Sequence, residues 1–131
     1  MELAFPWPVS QGEWLAWSSA AVTALFGVFM LFAPRLALRL LRLQPVPDHP
    51  EAVGEIRGAF GGFYLGIGLC SILFAQPLVY LALGLCWATA AFGRFVSMLS
   101  DRGNTLYNWV RLLLEAVLGG LALVFALGLV A

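Results

Sequence analysis

Four long apolar stretches, separated by short polar or proline-bearing joints, fill most of the 131 residues. Each is near the length of about 20 residues that an α-helix needs to cross the hydrocarbon core of a bilayer. The first is expected over 11–33, where Ser10 and Glu13 form an S-x-x-E capping box at its start and Pro34 closes it. The second is expected over 51–76, and Pro77 divides it from the third, over 77–100. A Gln-Pro joint that tight implies antiparallel neighbours. SDRGNT makes a short polar turn, and the fourth span is expected over 105–130.

Between the first and second spans lies RLALRLLRL, residues 35–43. Arg35, Arg39 and Arg42 recur at i, i+4 and i+7, so they share one helical face, as in a short basic helix lying flat in the membrane interface. QPVPDHP then makes a stiff loop, with Asp48 and Glu51 spaced for a second capping box. Trp7, Trp14 and Trp17 crowd the start of the first span, at the level where aromatic side chains meet headgroups.

Composition supports the same picture. The chain is 62% hydrophobic and 11% charged, too little charge to clothe a soluble domain of this size. The expected fold is one all-α membrane domain over 1–131, an antiparallel bundle of four transmembrane helices with a basic interfacial helix after the first span. The start, MELAFPWP, has no basic region ahead of the apolar run, so the first span is read as retained and not as a cleaved signal. All seven basic residues are arginines, and they fall on the side opposite the termini or in the helix halves nearest it. The positive-inside rule then makes that side cytoplasmic and both termini periplasmic, in a bacterial inner membrane.

Cofactor chemistry is narrowed too. Lysine is absent, which removes a Schiff-base anchor, and the single histidine, His49, cannot make a bis-histidine haem site. Cys70 and Cys86 are widely spaced within apolar spans and read as packing residues. No cofactor and no metal are expected.

Gly54, Gly58, Gly62 and Gly66 form three overlapping GxxxG units on the second span. Lipid offers no hydrophobic drive between helices, so small residues that let backbones approach are the expected adhesive. Lesser versions are Ala16, Ala20 and Ala24 on the first span, Cys86 and Ala90 on the third, and Ala116 and Gly120 on the fourth. A zipper of this kind serves contacts within a chain or between chains.

The ions are the chemical feature. Glu55 and Arg57 are two positions apart, about 200° around a helix, so each needs a partner elsewhere. Arg57 shares a face with Tyr64. On the fourth span Asn108, Arg111 and Glu115 form a stripe in which Arg111 and Glu115 are spaced to pair, and Arg94 lies two turns from the end of the third. Glu115 is the deepest, roughly 15 Å along its helix. An ion at such depth costs about 2.5–3.5 kcal/mol or more, so it should face the interior and be paired. Two glutamates against Arg57, Arg94 and Arg111 leave one surplus positive charge, suited to a lipid headgroup, a prenyl phosphate or a carboxylate.

The run R-G-A-F-G-G-x-Y-x-G-x-G from Arg57 to Gly68, the segment G-R-x-x-S-x-x-x-D-R-G from Gly93 to Gly103, and Glu115 in the last helix resemble a group of small bacterial four-helix membrane proteins catalogued as a domain of unknown function. Their layout is similar to that of DoxX-like proteins. The resemblance covers about residues 51–130 and implies a four-helix bundle in a bacterial inner membrane. It implies no activity.

The functional expectation is therefore a non-enzymatic membrane protein. Arg57, Arg94 and Arg111, oriented by Glu55 and Glu115 with Tyr64 and Asn108 beside them, would hold the anionic end of a lipid or amphiphile. An accessory role in a membrane complex fits equally. Partners are membrane lipids, with self-association left open, and no nucleic acid is expected. The alternative is a small proton-linked transporter with Glu115 as proton acceptor and Glu55 and Tyr64 as relays. Catalysis has less behind it, for no nucleophile lies beside a base in the sequence.

Overall fold

The computed structural model describes residues 5–131; the first four residues of the MELAFPWP stretch lie outside them. Five helices follow in order: α1 (Gln11–Phe32), α2 (Pro34–Leu40), α3 (Glu51–Phe74), α4 (Pro77–Ser100) and α5 (Leu106–Ala126). All but α2 are long and apolar enough to span a membrane, and their limits fall within a few residues of those expected. Ser10 caps α1 as its capping box requires: its Oγ accepts from the Glu13 amide at 3.2 Å and faces the Glu13 carboxylate. Thr105 caps α5 in the same way through the Asn108 amide. Ala75, left-handed at φ 52°, ends α3 and hands the chain to Gln76 and Pro77.

Three local expectations are corrected. Asp48 does not cap α3; it sits at φ 65°, Pro50 takes the cap position, and Glu51 faces His49 at 3.7 Å on the surface. The basic helix stops at Leu40, and Arg42 at φ 57° leaves the arginine face, reaching the Tyr107 ring instead. Within α3, residues Ile56–Phe60 form a wide π-helical turn, which adds a residue to one turn and rotates what precedes it.

The helices pack as two tight pairs, α1 on α3 and α4 on α5, joined mainly through α1 and α5. Ala20 and Ala24 of α1 meet Gly68, and Gly27 meets Gly61 and Leu65, backbone against backbone. Ala16, Ala20 and Ala24 are buried as expected. The zipper glycines are not at this contact. A Cβ added to Gly54, Gly58, Gly62 or Gly66 would meet nothing within 4 Å, because the stripe faces outward. The expectation that they pack helices together within the chain is therefore corrected: Gly61 and Gly68 do that work. On the other pair, Gly84 and Gly119 make the close approach, while Cys86, Ala90 and Ala116 are exposed.

A polar thread ties the pairs at mid-bundle. Trp87 Nε1 donates to Thr23 Oγ1 (2.8 Å), Thr23 Oγ1 to the Ser19 carbonyl (2.8 Å), and Ser19 Oγ to the Leu118 carbonyl (2.7 Å). One chain of hydrogen bonds thus links α4, α1 and α5. Each such bond contributes about 0.6 kcal/mol in a membrane.

Gly68→Val is expected to prevent or strongly weaken assembly, because its Cβ would lie 2.7 Å from the Ala24 backbone nitrogen. Overpacking costs about 1–3 kcal/mol even where side chains can yield, and backbone cannot. Gly62→Val, on the open stripe, should leave thermal unfolding in detergent near wild type. Equal losses in both would contradict this packing.

Candidate functional site

The two pairs separate along α3 and α4 in the half of the bundle that carries the arginines, and a cavity of about 590 Å³ lies there. Its two walls differ. Phe26, Phe29 and Met30 of α1 and Phe60 of α3 make an apolar wall, while Arg94, Ser97, Asn108, Arg111 and Glu115 of α4 and α5 make a polar one. Aromatic rings close the inner end: Trp87 lies 5.4 Å from Tyr64 and 6.4 Å from Phe26, centroid to centroid. At the arginine end Ala37 and Leu40 of α2 line the cavity, and Leu41 and Leu43 follow. Sideways the cavity is open, flanked by exposed Phe60 on α3 and by exposed Ala90 and Gly93 on α4.

The charges are arranged unevenly. Glu115 is 2% exposed and its Oε1 accepts from Arg94 Nε. Arg94 Nη1 also donates to Asn108 Oδ1 at 2.8 Å, and Asn108 Nδ2 donates to the Gly103 carbonyl at 2.9 Å. The pair is thereby anchored to the turn between α4 and α5. Arg111, one turn nearer the end, donates only to the Tyr107 hydroxyl, at 3.0 Å, and makes no ion pair among the described residues. Tyr107 is a shared node, for its hydroxyl donates to the Leu40 carbonyl at 2.7 Å and its ring carries the Arg42 guanidinium at 4.6 Å. Through that one phenol α5 holds the end of α2 at the cavity. The expected pairing of Arg111 with Glu115 is corrected, because the interhelical partner Arg94 takes the carboxylate.

A family model described as a domain of unknown function (DUF4345) matches residues 12–126. The chain belongs to the DUF4345 family. Neither curated proteins nor solved structures give a match to it. The family description assigns no chemistry, so function in this DUF4345 chain is argued from the site.

Of the residues expected at the site, Tyr64, Arg94, Asn108, Arg111 and Glu115 converge on the cavity. Glu55 and Arg57 do not; both are exposed outside its lining. The reason for Arg57 is the wide turn at Ile56–Phe60: an added residue turns the helix by about 100°, so the face shared with Tyr64 is lost. Tyr107 and α2 were missed as site elements. Tyr107 carries a signal in retrospect, an aromatic four residues before Arg111 and so on its face. Cys86 is exposed and Cys70 half-buried, neither in the cavity lining.

Glu115→Gln leaves Arg94 at depth without its counter-ion and is expected to lower stability by about 3–5 kcal/mol. Joint replacement, Arg94→Met with Glu115→Leu, removes both ions and should recover most of that loss in detergent unfolding. A double variant as unstable as the single one would mean that the pair does not govern the fold here.

Proposed function

We propose that this protein is a non-enzymatic, multi-pass membrane protein that binds an anionic lipid or amphiphile in the cavity between α3 and α4. The observation that carries the reading is the isolation of Arg111. Glu115 is committed to Arg94, so the lining holds a guanidinium whose only bonded partner is a neutral phenol. The same lining holds two groups that suit an anionic head, the Ser97 and Tyr64 hydroxyls, neither of which makes a hydrogen bond among the described residues. The facing wall is apolar and suits a hydrocarbon tail. Pockets of about 300–1,000 Å³ with apolar lining and a few converging polar groups are typical ligand sites.

The orientation in this proposal follows the arginines. Their end of the bundle is cytoplasmic by the positive-inside rule, with both termini periplasmic in an inner membrane. The head then sits one to two helical turns inside the cytoplasmic surface. The carrier reading has less support. Glu55, its proposed relay, lies outside the cavity lining, and no other carboxylate stands beside Glu115 in that lining.

Native mass spectrometry of protein extracted gently from its own membrane tests the proposal. A retained anionic amphiphile is expected, lost or at least tenfold depleted in Arg111→Gln, since a hydrogen bond to a charged group contributes about 1.5–3 kcal/mol. Arg57→Gln, changed on the outer surface, should retain it. A bare protein, or equal retention in Arg111→Gln, would sink the reading. A larger co-purifying protein with an empty cavity would favour an accessory subunit instead.

A further inference from the structure

The same cavity narrows the ligand's class and route, an inference that rests on the binding reading above. Three ionisable charges line it: Arg94, Glu115 and Arg111. The first two are paired, which leaves one positive charge within the lining for a ligand to neutralise; Arg42, also without an ion pair among the described residues, stands over the Tyr107 ring outside that lining. In a low-dielectric site, a head carrying two or three negative charges would bury the excess without a partner. A diphosphate is disfavoured on that count, and an uncharged lipid would leave Arg111 unmatched.

The route follows from the openings. On the side that the proposed orientation makes aqueous, Ala37 and Leu40 of α2 and the following Leu41 and Leu43 line the cavity with apolar side chains, and the Tyr107 bond to the Leu40 carbonyl fixes the end of α2 there. A water-borne anion would have to pass this apolar lining. Toward lipid the seam between α3 and α4 is thin and flanked by Phe60 and Gly93. Gly93 has nothing within 4 Å of where a Cβ would stand. A molecule already dissolved in the bilayer meets no such barrier.

We infer that the cavity takes an amphiphile bearing a single negative charge, from the surrounding leaflet, sideways between α3 and α4. Its head meets Arg111, and its tail crosses the cavity along the Phe26–Phe29 wall beside Trp87 before leaving past Gly93 into lipid. Carboxylates of free fatty acids and phosphodiesters of phospholipids both supply such a head.

Trp87, at the inner end of the cavity, provides the readout. The full chain with Trp7, Trp14, Trp17 and Trp109 changed to phenylalanine is placed in phosphatidylcholine nanodiscs and titrated with brominated stearate or brominated phosphatidylglycerol. Saturable quenching of Trp87 by either is expected, and the stronger of the two identifies the source. Arg111→Gln should weaken it about tenfold or more. Gly93→Leu should slow or abolish it by filling the seam, whereas Gly62→Leu, on the outward stripe of α3, should not. Excess inorganic phosphate or acetate in the buffer should not compete.

Equal quenching by brominated phosphatidylcholine would overturn the charge assignment, and so would stronger quenching by brominated phosphatidic acid carrying two charges. Unchanged quenching in Gly93→Leu, or competition by the soluble anions, would overturn the lateral route. Those results leave intact the mass-spectrometric test of whether Arg111 holds an anionic amphiphile at all, so the two claims fail separately.

Discussion

Close backbone approach between α1 and α3 is the constraint on which the rest of the structure depends. In lipid, helices gain nothing by hiding apolar surface from water, so dispersion across tightly matched surfaces must hold them. Gly61, Leu65 and Gly68 lie against Ala20, Ala24 and Gly27 with no side chain to spare. Gly84 and Gly119 do the same for α4 and α5. Those two pairs are joined through α1 and α5 and by the Trp87–Thr23–Ser19 hydrogen bonds. Helices α3 and α4 are neighbours in sequence, yet they share only a thin seam. The rings of Phe26, Tyr64 and Trp87 stand at the inner end of the space that remains. The cavity is what this division of close contacts leaves over.

Electrostatics act inside that frame. A carboxylate as deep as Glu115 is tolerable only beside a counter-ion, and the α4–α5 contact brings Arg94 to it from the facing helix. Asn108 fixes the arginine from the other side and connects it to the turn at Gly103. The pair is thus a part of the helix contact, and its charges are spent locally. Arg111 lies on the same stripe but one turn away, where only Tyr107 meets it. Two guanidiniums on one helix face and its neighbour therefore have different roles: one completes the fold, the other is left to the cavity.

Much of this was legible in the chain itself. Span lengths follow from apolar runs broken at Pro34, Pro77 and SDRGNT, and those limits hold to within a few residues. The alanine ridge of α1 was legible because only one face of that helix carries small residues at regular spacing. On α3 small residues lie on two faces, Gly54 to Gly66 on one and Gly61 with Gly68 on another, and spacing alone favours the longer stripe. Five of the seven expected site residues reached the cavity because depth and polarity both mark them. The partner of Glu115 was not legible. Arg111 satisfies the i, i+4 rule within the helix, while Arg94 becomes available only once α4 and α5 are docked.

The wide turn in α3 explains the remaining misreading and more besides. Ile56 and Gly61 are both buried, Ile56 under α2 and Gly61 against α1, and they are five residues apart. A regular α-helix brings residues four apart onto one face, so Phe60 would take the position beneath Ile56 that Gly61 now holds. A phenylalanine ring does not fit where a Cβ alone would lie 3.1 Å from the Leu31 nitrogen. The π-turn over Ile56–Phe60 resolves the conflict by repeating at five: glycine meets α1, and Phe60 is turned toward the open seam, 41% exposed. The same rotation carries Arg57 away from the face of Tyr64. Close packing of α1 on α3, an aromatic at the cavity mouth and the exclusion of Arg57 from the site are therefore one event in the backbone, and a straight helix could not deliver the first without losing the second.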